Sequence, residues 1–400
     1  MKRIAGLGLC VAALAAGCRS KQAGLTFAED VEFLRRHTNV VVLVDKTGQG
    51  CLAVCPAYQG RGMTSTAGGC EGPSYGWINR ELISAHEIRK HINPYGGEDR
   101  FWIGPEGGQF AVFFKKGEPF DLEHWQTPAP FDTEKFELVT HDPHKAVFSK
   151  RMQLKNYSGT QFDLEVDRTL EMLEADKVAE HLGVTIPPAV KVVGYQSVNK
   201  VTNTGKQPWE KKTGLLSIWI LGMYNTSPAT TVVAPFVPGP EDKLGPIVNA
   251  DYFGRVPPDR LVVKADQGVL YFKADGKYRS KIGLSPQRAK PVIGSYDAGN
   301  CLLTIVQYTK PQGATDYVNS MWQQQKKPYA GDVVNSYNDG GSLGKFYELE
   351  TSSPAAALKP GQSIQHTHRT IHLQGSAEDL DPIAKAVLGV GLSQIKSALK

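Results

Sequence analysis

Phe346-Tyr-Glu-Leu-Glu-Thr-Ser-Ser-Pro354 predicts a β-strand that carries two carboxylates. Side chains alternate between the two faces of a strand, so Glu348 and Glu350 point to the same face. Two acids on one face indicate either a solvated sheet surface or a functional site. An ordinary edge strand with solvated glutamates explains the local sequence as well as a site does.

The residues after this strand extend the pattern into a family signature. They are Leu358-Lys-Pro-Gly361 and His366-Thr-His-Arg-Thr-Ile-His372. The order Leu-Glu-Thr, proline, Leu-x-Pro-Gly and His-Thr resembles the C-terminal signature of the galactose mutarotases, the aldose 1-epimerases. In these enzymes the Glu of Leu-Glu-Thr is the catalytic base. The resemblance implies that Glu350 is the catalytic base here and that the ligand is a carbohydrate.

Strand-length runs with turns between them predict an all-β fold. Gly 41 and Pro 25, with 15 Tyr, 15 Phe and 6 Trp, suit a turn-rich β protein rather than a helical bundle. So many β runs without intervening helices favour stacked antiparallel sheets, and the resemblance implies a galactose mutarotase-like β-supersandwich. A capping box predicts a helix over 27–36, and further peripheral helices are predicted over 376–388 and 393–399. The predicted strands cover 40–44, 51–55, 109–114, 136–140, 146–154, 160–173, 189–202, 215–221, 261–263, 269–272, 281–284, 301–308, 346–351 and 364–373.

The N-terminus has the pattern of a secretory leader. A basic start precedes a short apolar run and small residues that end at Gly17. Because Cys18 follows directly, the pattern resembles a bacterial lipobox, in which this cysteine is acylated. The predicted location is the bacterial cell envelope, with a lipid anchor on the periplasmic or outer-membrane side. A soluble signal peptide with an incidental cysteine, or a short membrane anchor, is the alternative.

This pattern divides the chain into four parts. They are a signal peptide over 1–17, a lipidated tether over 18–25, the β-supersandwich over 26–375 and a helical extension over 376–400.

Charge and motifs exclude several functions. The net charge of +5 is small for this length and the basic residues are dispersed, so nucleic acid is not an expected partner. No nucleophile elbow, phosphate loop or dinucleotide fingerprint is present, and no cofactor is expected. On one strand Cys51 and Cys55 lie too far apart to bond each other, which leaves pairing with Cys70 or Cys301 open.

The segment 93–108 is rich in glycine, aromatic and charged residues and predicts a binding loop. Asp99, Arg100 and Glu106 offer charge-assisted hydrogen bonds to hydroxyls, and Trp102 can stack on a sugar. The segment is similar to the Gly-Gly-x-Arg-x-Trp-x-x-Pro-Glu run of some mutarotase-like proteins. A glycine-rich connection in which Asp and Arg form a structural ion pair is the alternative.

His124 is the candidate general acid, since it lies beside Trp125 among acidic and amide neighbours. A satisfied structural histidine is the alternative. The segments 317–322 and 335–339 add polar aromatic residues typical of hydroxyl-rich ligands, and Asn338 is predicted to bind substrate. Turn formation explains the second segment equally well.

Three histidines, His366, His368 and His372, share one face of a predicted strand and raise a metal alternative. Mutarotases often have His-Thr near this position without needing a metal, so the resemblance implies none.

The expected reaction is an acid–base opening of a sugar ring. By the resemblance, Glu350 removes the proton of the anomeric hydroxyl while an acid protonates the ring oxygen. The familiar enzymes use two histidines that this chain lacks, since Tyr95 precedes Gly96-Gly97 and the segment 201–209 has no histidine. Three hypotheses follow: an aldose epimerase-like enzyme for an unknown sugar, a non-catalytic carbohydrate-binding lipoprotein, and a lyase or hydrolase that uses the same cleft.

Overall fold

A computed structural model describes residues 25–399 of the chain. The predicted signal peptide over 1–17, the lipidation site Cys18 and all of the tether except Leu25 lie outside these residues. None of the helices within the described part of the chain combines the length and the apolar character needed to cross a bilayer.

The described residues form a β-rich fold, which confirms the predicted all-β class. All pairings between neighbouring strands are antiparallel. In chain order the strands are β1 (Val41–Val44), β2 (Cys51–Cys55), β3 (Arg61–Thr66), β4 (Arg100–Gly104), β5 (Glu137–His141), β6 (Lys145–Lys155), β7 (Gln161–Leu173), β8 (Lys191–Asn203), β9 (Ser217–Asn225), β10 (Thr230–Pro235), β11 (Leu261–Lys264), β12 (Val269–Lys273), β13 (Ser280–Leu284), β14 (Val292–Asp297), β15 (Leu302–Tyr308), β16 (Val334–Asn338), β17 (Phe346–Ser352) and β18 (Ser363–Gln374).

The strands form three sheets. A ten-stranded sheet has the order β11-β12-β10-β14-β15-β18-β8-β7-β6-β5, and a five-stranded sheet has the order β13-β16-β17-β9-β4. The third sheet consists of β1, β2 and β3. Apolar side chains of the two larger sheets belong to one buried cluster, which includes Leu349 of β17 and Val306 of β15. The large sheets therefore share a buried core, as in a two-layer sandwich.

Six α-helices lie around the sheets within the described residues: α1 (Phe27–His37), α2 (Arg80–Ala85), α3 (Ala175–Leu182), α4 (Glu241–Leu244), α5 (Ala377–Leu388) and α6 (Leu392–Ser397). Helix α1 begins with the predicted capping box, in which Glu29 N–H donates to Thr26 Oγ1 over 3.2 Å and Thr26 N–H donates to Glu29 Oε2 over 2.7 Å. Helices α3, α5 and α6 pack on a separate apolar cluster that includes Ile305 and Ile371 of the ten-stranded sheet.

Several local predictions were wrong. Residues 109–114 are irregular rather than a strand, and the predicted loop over 93–108 contains β4. The residues of β4 are all buried, because this strand pairs with β9 at the edge of the five-stranded sheet. Strands β3, β10, β14 and β16 were not predicted.

The cysteines near the N-terminal sheet carry free thiols. This holds for the buried Cys51 and Cys55 and for the exposed Cys70. The disulfides considered between Cys70 and either of the other two are therefore not formed.

Candidate functional site

A pocket of about 710 Å³ lies on the face of the five-stranded sheet that points away from the core. Alternation along β17 produces this arrangement: Glu348 and Glu350 line the pocket, whereas Tyr347 and Leu349 belong to the core between the sheets. The predicted common face of the two glutamates is confirmed. Every strand of this sheet contributes side chains to the pocket floor, and groups carried on strands are positioned more precisely than groups on loops. The floor residues are Arg100 and Trp102 (β4), Trp219, Leu221 and Met223 (β9), Lys281 (β13), Tyr337 (β16), and Phe346, Glu348 and Glu350 (β17).

Glu350 is fully buried and has one oxygen held by protein and one without a partner. Its Oε2 accepts from Lys281 Nζ over 2.8 Å and from Trp219 Nε1 over 3.0 Å. Its Oε1 is inaccessible to solvent and has no hydrogen-bond partner in the protein. A buried acceptor without a partner costs free energy. Two donors can therefore satisfy this carboxylate: a ligand in the pocket, and the carboxyl of Glu348 in its protonated form, whose hydrogen bond to Glu350 contributes to the raised pKa of Glu348.

Glu348 is bound by a different cation. Its Oε1 accepts from Arg100 Nη2 over 2.9 Å, and both side chains are buried. Burial raises the pKa of Glu348, against the opposing effect of Arg100, and the negative charge of Glu350 raises it further. Glu348 therefore keeps its proton to a higher pH than a solvated glutamate does.

A third carboxyl group, that of Glu106, lines the same pocket. Burial raises its pKa to about 7, and Lys281 acts in the opposite direction. The pocket therefore contains a second acid that can be protonated near neutral pH.

Aromatic side chains line both the floor and the rim of the pocket. Trp102 and Trp219 meet edge to face with ring centroids 5.4 Å apart, and Trp125 and Trp322 stack with centroids 5.6 Å apart. The Arg100 guanidinium lies 4.1 Å from the centre of the Trp102 ring, and this contact helps to fix the position of Arg100. Flat rings beside charged hydrogen-bonding groups suit a ligand with both an apolar and a polar side.

The predicted site residues fall into two groups. Glu350, Arg100, Trp102 and Glu106 meet in this pocket. His124 does not: it lines a neighbouring surface depression, and its Nδ1 lies 2.6 Å from Asp121 Oδ1 on a partly exposed turn. The hydrogen bond to Asp121 raises the pKa of His124. His124 is therefore not positioned to act on a ligand in the pocket.

The side chains of Asp99 and Asn338 are buried and contact other residues of the protein. Asp99 is fully buried and forms an ion pair with Arg168, which also donates to Asn199 Oδ1 over 2.5 Å. Asn338 is fully buried: its Nδ2 donates to Tyr278 O over 2.8 Å and its Oδ1 accepts from Gly276 N–H over 2.9 Å. Neither side chain lines the pocket.

The histidines of β18 lie between the sheets rather than in the pocket. Thr351 Oγ1 is 2.8 Å from His366 Nε2 and 2.9 Å from His368 Nδ1, while His372 Nε2 is 2.8 Å from Glu98 Oε2. Within residues 25–399 no three His, Cys, Asp or Glu side chains are placed together as a metal site would require. The geometry of these residues does not fit the metal alternative.

Sequence reasoning missed Lys281 and Trp219, the two residues that hold Glu350. Each lies in a predicted strand whose other residues are mostly apolar, and a lysine in such a buried strand was the available signal. Glu348 was placed on the correct face but was not assigned a role.

Comparisons with known proteins give a family and a set of distant structural neighbours. A family model described as a family of unknown function (DUF6786) matches residues 25–399. No curated protein sequence matches the chain.

Among solved structures, the chain is similar to a galactose mutarotase-like protein from Lactobacillus casei, with 9% identity, TM-score 0.47, and coverage of 84% of this chain and 100% of that one. It is also similar to a galactose mutarotase related enzyme from Lactobacillus acidophilus, with 11% identity, TM-score 0.45, and coverage of 84% and 97%. The Slr1438 protein from Synechocystis sp. PCC 6803 has 13% identity, TM-score 0.48, and coverage of 84% and 96%. At these values the likeness does not extend to an activity or a substrate.

Proposed function

The chain belongs to the family of unknown function DUF6786, whose model matches residues 25–399, and we propose that it binds a carbohydrate in the pocket over the five-stranded sheet. In this proposal the protein interconverts the α and β anomers of the reducing sugar of that ligand. Glu350 is the proposed base and Glu348 the proposed acid. The observation that supports this proposal most strongly is the unpartnered Oε1 of Glu350 beside a second carboxyl group with a raised pKa.

Carbohydrate binding is supported by the composition of the pocket. The ring of Trp322 offers an apolar face for the C–H side of a sugar, and Arg100, Lys281 and the carboxyl groups offer hydrogen bonds to its hydroxyls. A volume of about 710 Å³ accommodates a small ligand and is within the usual range of ligand pockets.

The proposed base is Glu350 because its carboxyl group is held in place and its Oε1 accepts no hydrogen bond. Lys281 and Trp219 both donate to Oε2, which fixes the orientation of the carboxyl group. Oε1 remains free to accept the proton of the anomeric hydroxyl.

The proposed acid is Glu348 because burial and the nearby Glu350 favour its protonated form. Glu348 and Glu350 are two residues apart on β17, which places their β-carbons roughly 7 Å apart on the same face. This spacing allows the two carboxyl groups to reach the anomeric hydroxyl and the ring oxygen of one pyranose.

In the proposed reaction, proton transfers to and from the two carboxyl groups open and close the sugar ring. Glu350 takes the proton of the anomeric hydroxyl while Glu348 gives a proton to the ring oxygen, and the bond between the anomeric carbon and the ring oxygen breaks to give an open-chain aldehyde. Rotation about the bond next to the aldehyde exposes its other face. The reverse proton transfers then close the ring with the opposite configuration and restore both carboxyl groups.

One-dimensional NMR of freshly dissolved single anomers, from a panel of aldoses and short oligosaccharides, tests this proposal. We expect faster exchange with the wild-type protein and a loss of about 10²–10⁴-fold in Glu350→Gln and in Glu348→Gln, with binding retained. Glu137→Gln, an exposed glutamate of β5, is the matched control and should behave like wild type. Unchanged exchange in Glu350→Gln would refute the assignment of the base.

A second candidate function is carbohydrate binding without turnover. The direct contact between Lys281 and Glu350 favours it, since this ion pair of 2.8 Å already gives the buried carboxylate a partner within the protein. Line broadening of sugar resonances without accelerated exchange, for every sugar in the panel, would support this function instead.

We also propose that Cys18 is acylated and anchors the protein in the bacterial envelope. The leader pattern over residues 1–17 supports this location. Metabolic labelling with an alkynyl fatty acid should mark the wild-type chain and not Cys18→Ser, whereas label in both would place the modification elsewhere.

A further inference from the structure

We propose that the natural ligand is an acidic oligosaccharide, whose reducing end enters the pocket and whose following sugars lie in an adjacent basic groove. The position of the reducing end rests on the proposed function. The groove itself is inferred from a separate set of residues.

The groove is a second depression, of about 680 Å³, beside the pocket. Arg89 and Lys90 line both cavities, so they form the border between them. Beyond this border the groove is lined by Lys115, Lys116 and Lys155. A ligand that extends out of the pocket across Arg89 and Lys90 therefore enters a basic surface.

These five basic side chains are not neutralised by the protein. Within the described part of the chain none of them takes part in an ion pair, and all five are exposed. In contrast, Lys150 on β6, the strand that also carries Lys155, pairs with Glu134 at 2.5 Å. These five residues therefore give the groove a positive charge that is available to an anionic partner.

Asp132 is the acidic residue that lines this groove, and its surroundings limit its effect. It is buried and accepts hydrogen bonds from the backbone N–H of Asn93 over 3.2 Å and from Asn93 Nδ2 over 2.7 Å. Burial also raises the pKa of Asp132. The five exposed basic residues of the groove therefore face one acidic residue that is buried and hydrogen-bonded within the protein.

Two observations favour an acidic sugar over another polyanion. Thr127 lines the groove and is only 8% exposed. Its Oγ1 has no hydrogen-bond partner in the protein, which suits a ligand that carries hydroxyls. The groove is also continuous with a pocket walled by tryptophan rings, and the net charge of +5 over the whole chain is small for a nucleic-acid-binding protein. Carboxylated sugars combine the charge and the hydroxyls that these features require.

Titration calorimetry with the full-length protein tests this inference. The probes are α-1,4-linked galacturonate oligomers from the monomer to the hexamer, with α-1,4-linked glucose oligomers as the neutral counterparts. We expect affinity for the acidic series to rise with chain length and to fall as salt is added, whereas the neutral series should show a smaller rise.

The triple variant Lys115→Gln, Lys116→Gln, Lys155→Gln should weaken binding of the acidic hexamer by about tenfold or more and leave binding of the monomer unchanged. The control replaces Lys177, Lys212 and Lys359, exposed lysines outside both cavities, by Gln and should match wild type. Equal affinity for acidic and neutral hexamers, or an unchanged triple variant, would overturn the inference. So would tighter binding of single-stranded DNA than of the acidic hexamer.

The test of the basic groove can be distinguished from the test of the proposed reaction. If Glu350→Gln shows no loss of anomeric exchange but the triple variant loses the length-dependent binding, the groove is retained and the reaction is rejected. If exchange depends on Glu350 and the triple variant binds all oligomers normally, the reaction is retained and the acidic ligand is rejected.

Discussion

Glu348 and Glu350 project from one strand into the same pocket, and each contacts a different cation. Arg100 donates to Glu348 over 2.9 Å, whereas Lys281 donates to Glu350 over 2.8 Å. Two carboxyl groups this close disfavour simultaneous ionisation, because like charges at short range repel. The arrangement can therefore offer one proton acceptor and one proton donor to the same ligand.

We expect turnover to fall as the pH rises through the raised pKa of Glu348. Burial and the charge of Glu350 raise this pKa above the ordinary 4.5, so the protonated acid persists at pH values where a solvated glutamate is ionised. Anomeric exchange measured by NMR from about pH 5 to about pH 9 checks this. A rate that does not decline on the alkaline side would contradict the role of Glu348.

Glu106 provides the control for this profile, since burial raises its pKa to about 7. The alkaline decline should persist in Glu106→Gln and should be absent from the residual activity of Glu348→Gln. The reverse result would assign the acid to Glu106.

Replacing Lys281 by Met should destabilise the fold. The fully buried Glu350 would lose its cationic partner, and an uncompensated buried charge costs about 3–5 kcal/mol of unfolding free energy. Urea unfolding measures this loss. Adding Glu350→Gln to Lys281→Met removes the orphaned charge and should restore part of the stability, whereas strictly additive losses would show that the two side chains are not coupled.

The common face of the two glutamates could be predicted because it depends on local geometry. A strand alternates its side chains with a period of two, so the sequence around Glu350 already placed Glu348 beside it. Helix α1 was predicted for the same reason, since Thr26 and Glu29 form its capping box within four residues.

The partners of Glu350 could not be predicted because they come from distant parts of the chain. Lys281 and Trp219 are separated from it by 69 and 131 residues, and only the strand order β13-β16-β17-β9 brings them together. The position of His124 was equally hidden. The residues around His124 resembled a functional site in composition, but the His124 side chain pairs with Asp121, three residues earlier, on a surface turn.

The buried ion pair of Asp99 and Arg168 predicts a large structural effect. Both side chains are inaccessible to solvent, so Arg168→Met should cost about 3–5 kcal/mol of unfolding free energy. Arg151→Met is the matched control: its partner is Glu165, but the arginine side chain is 80% exposed, and its loss should cost about 1 kcal/mol or less. Equal destabilisation of the two variants in urea would exclude a special contribution from the buried pair.

His366 and His368 should make the stability of the protein fall in acid. Burial lowers the pKa of His366 to about 3 and that of His368 to about 4, below their ordinary 6.5. The unfolded chain therefore takes up protons first, and this stabilising contribution is present above about pH 6.5 and is lost as the pH falls towards about 4. Between pH values of about 7 and about 5, His366→Gln should lose less unfolding free energy than wild type. The exposed His141→Gln should lose as much as wild type, and equal losses in the two variants would exclude His366 as a source of the acid sensitivity.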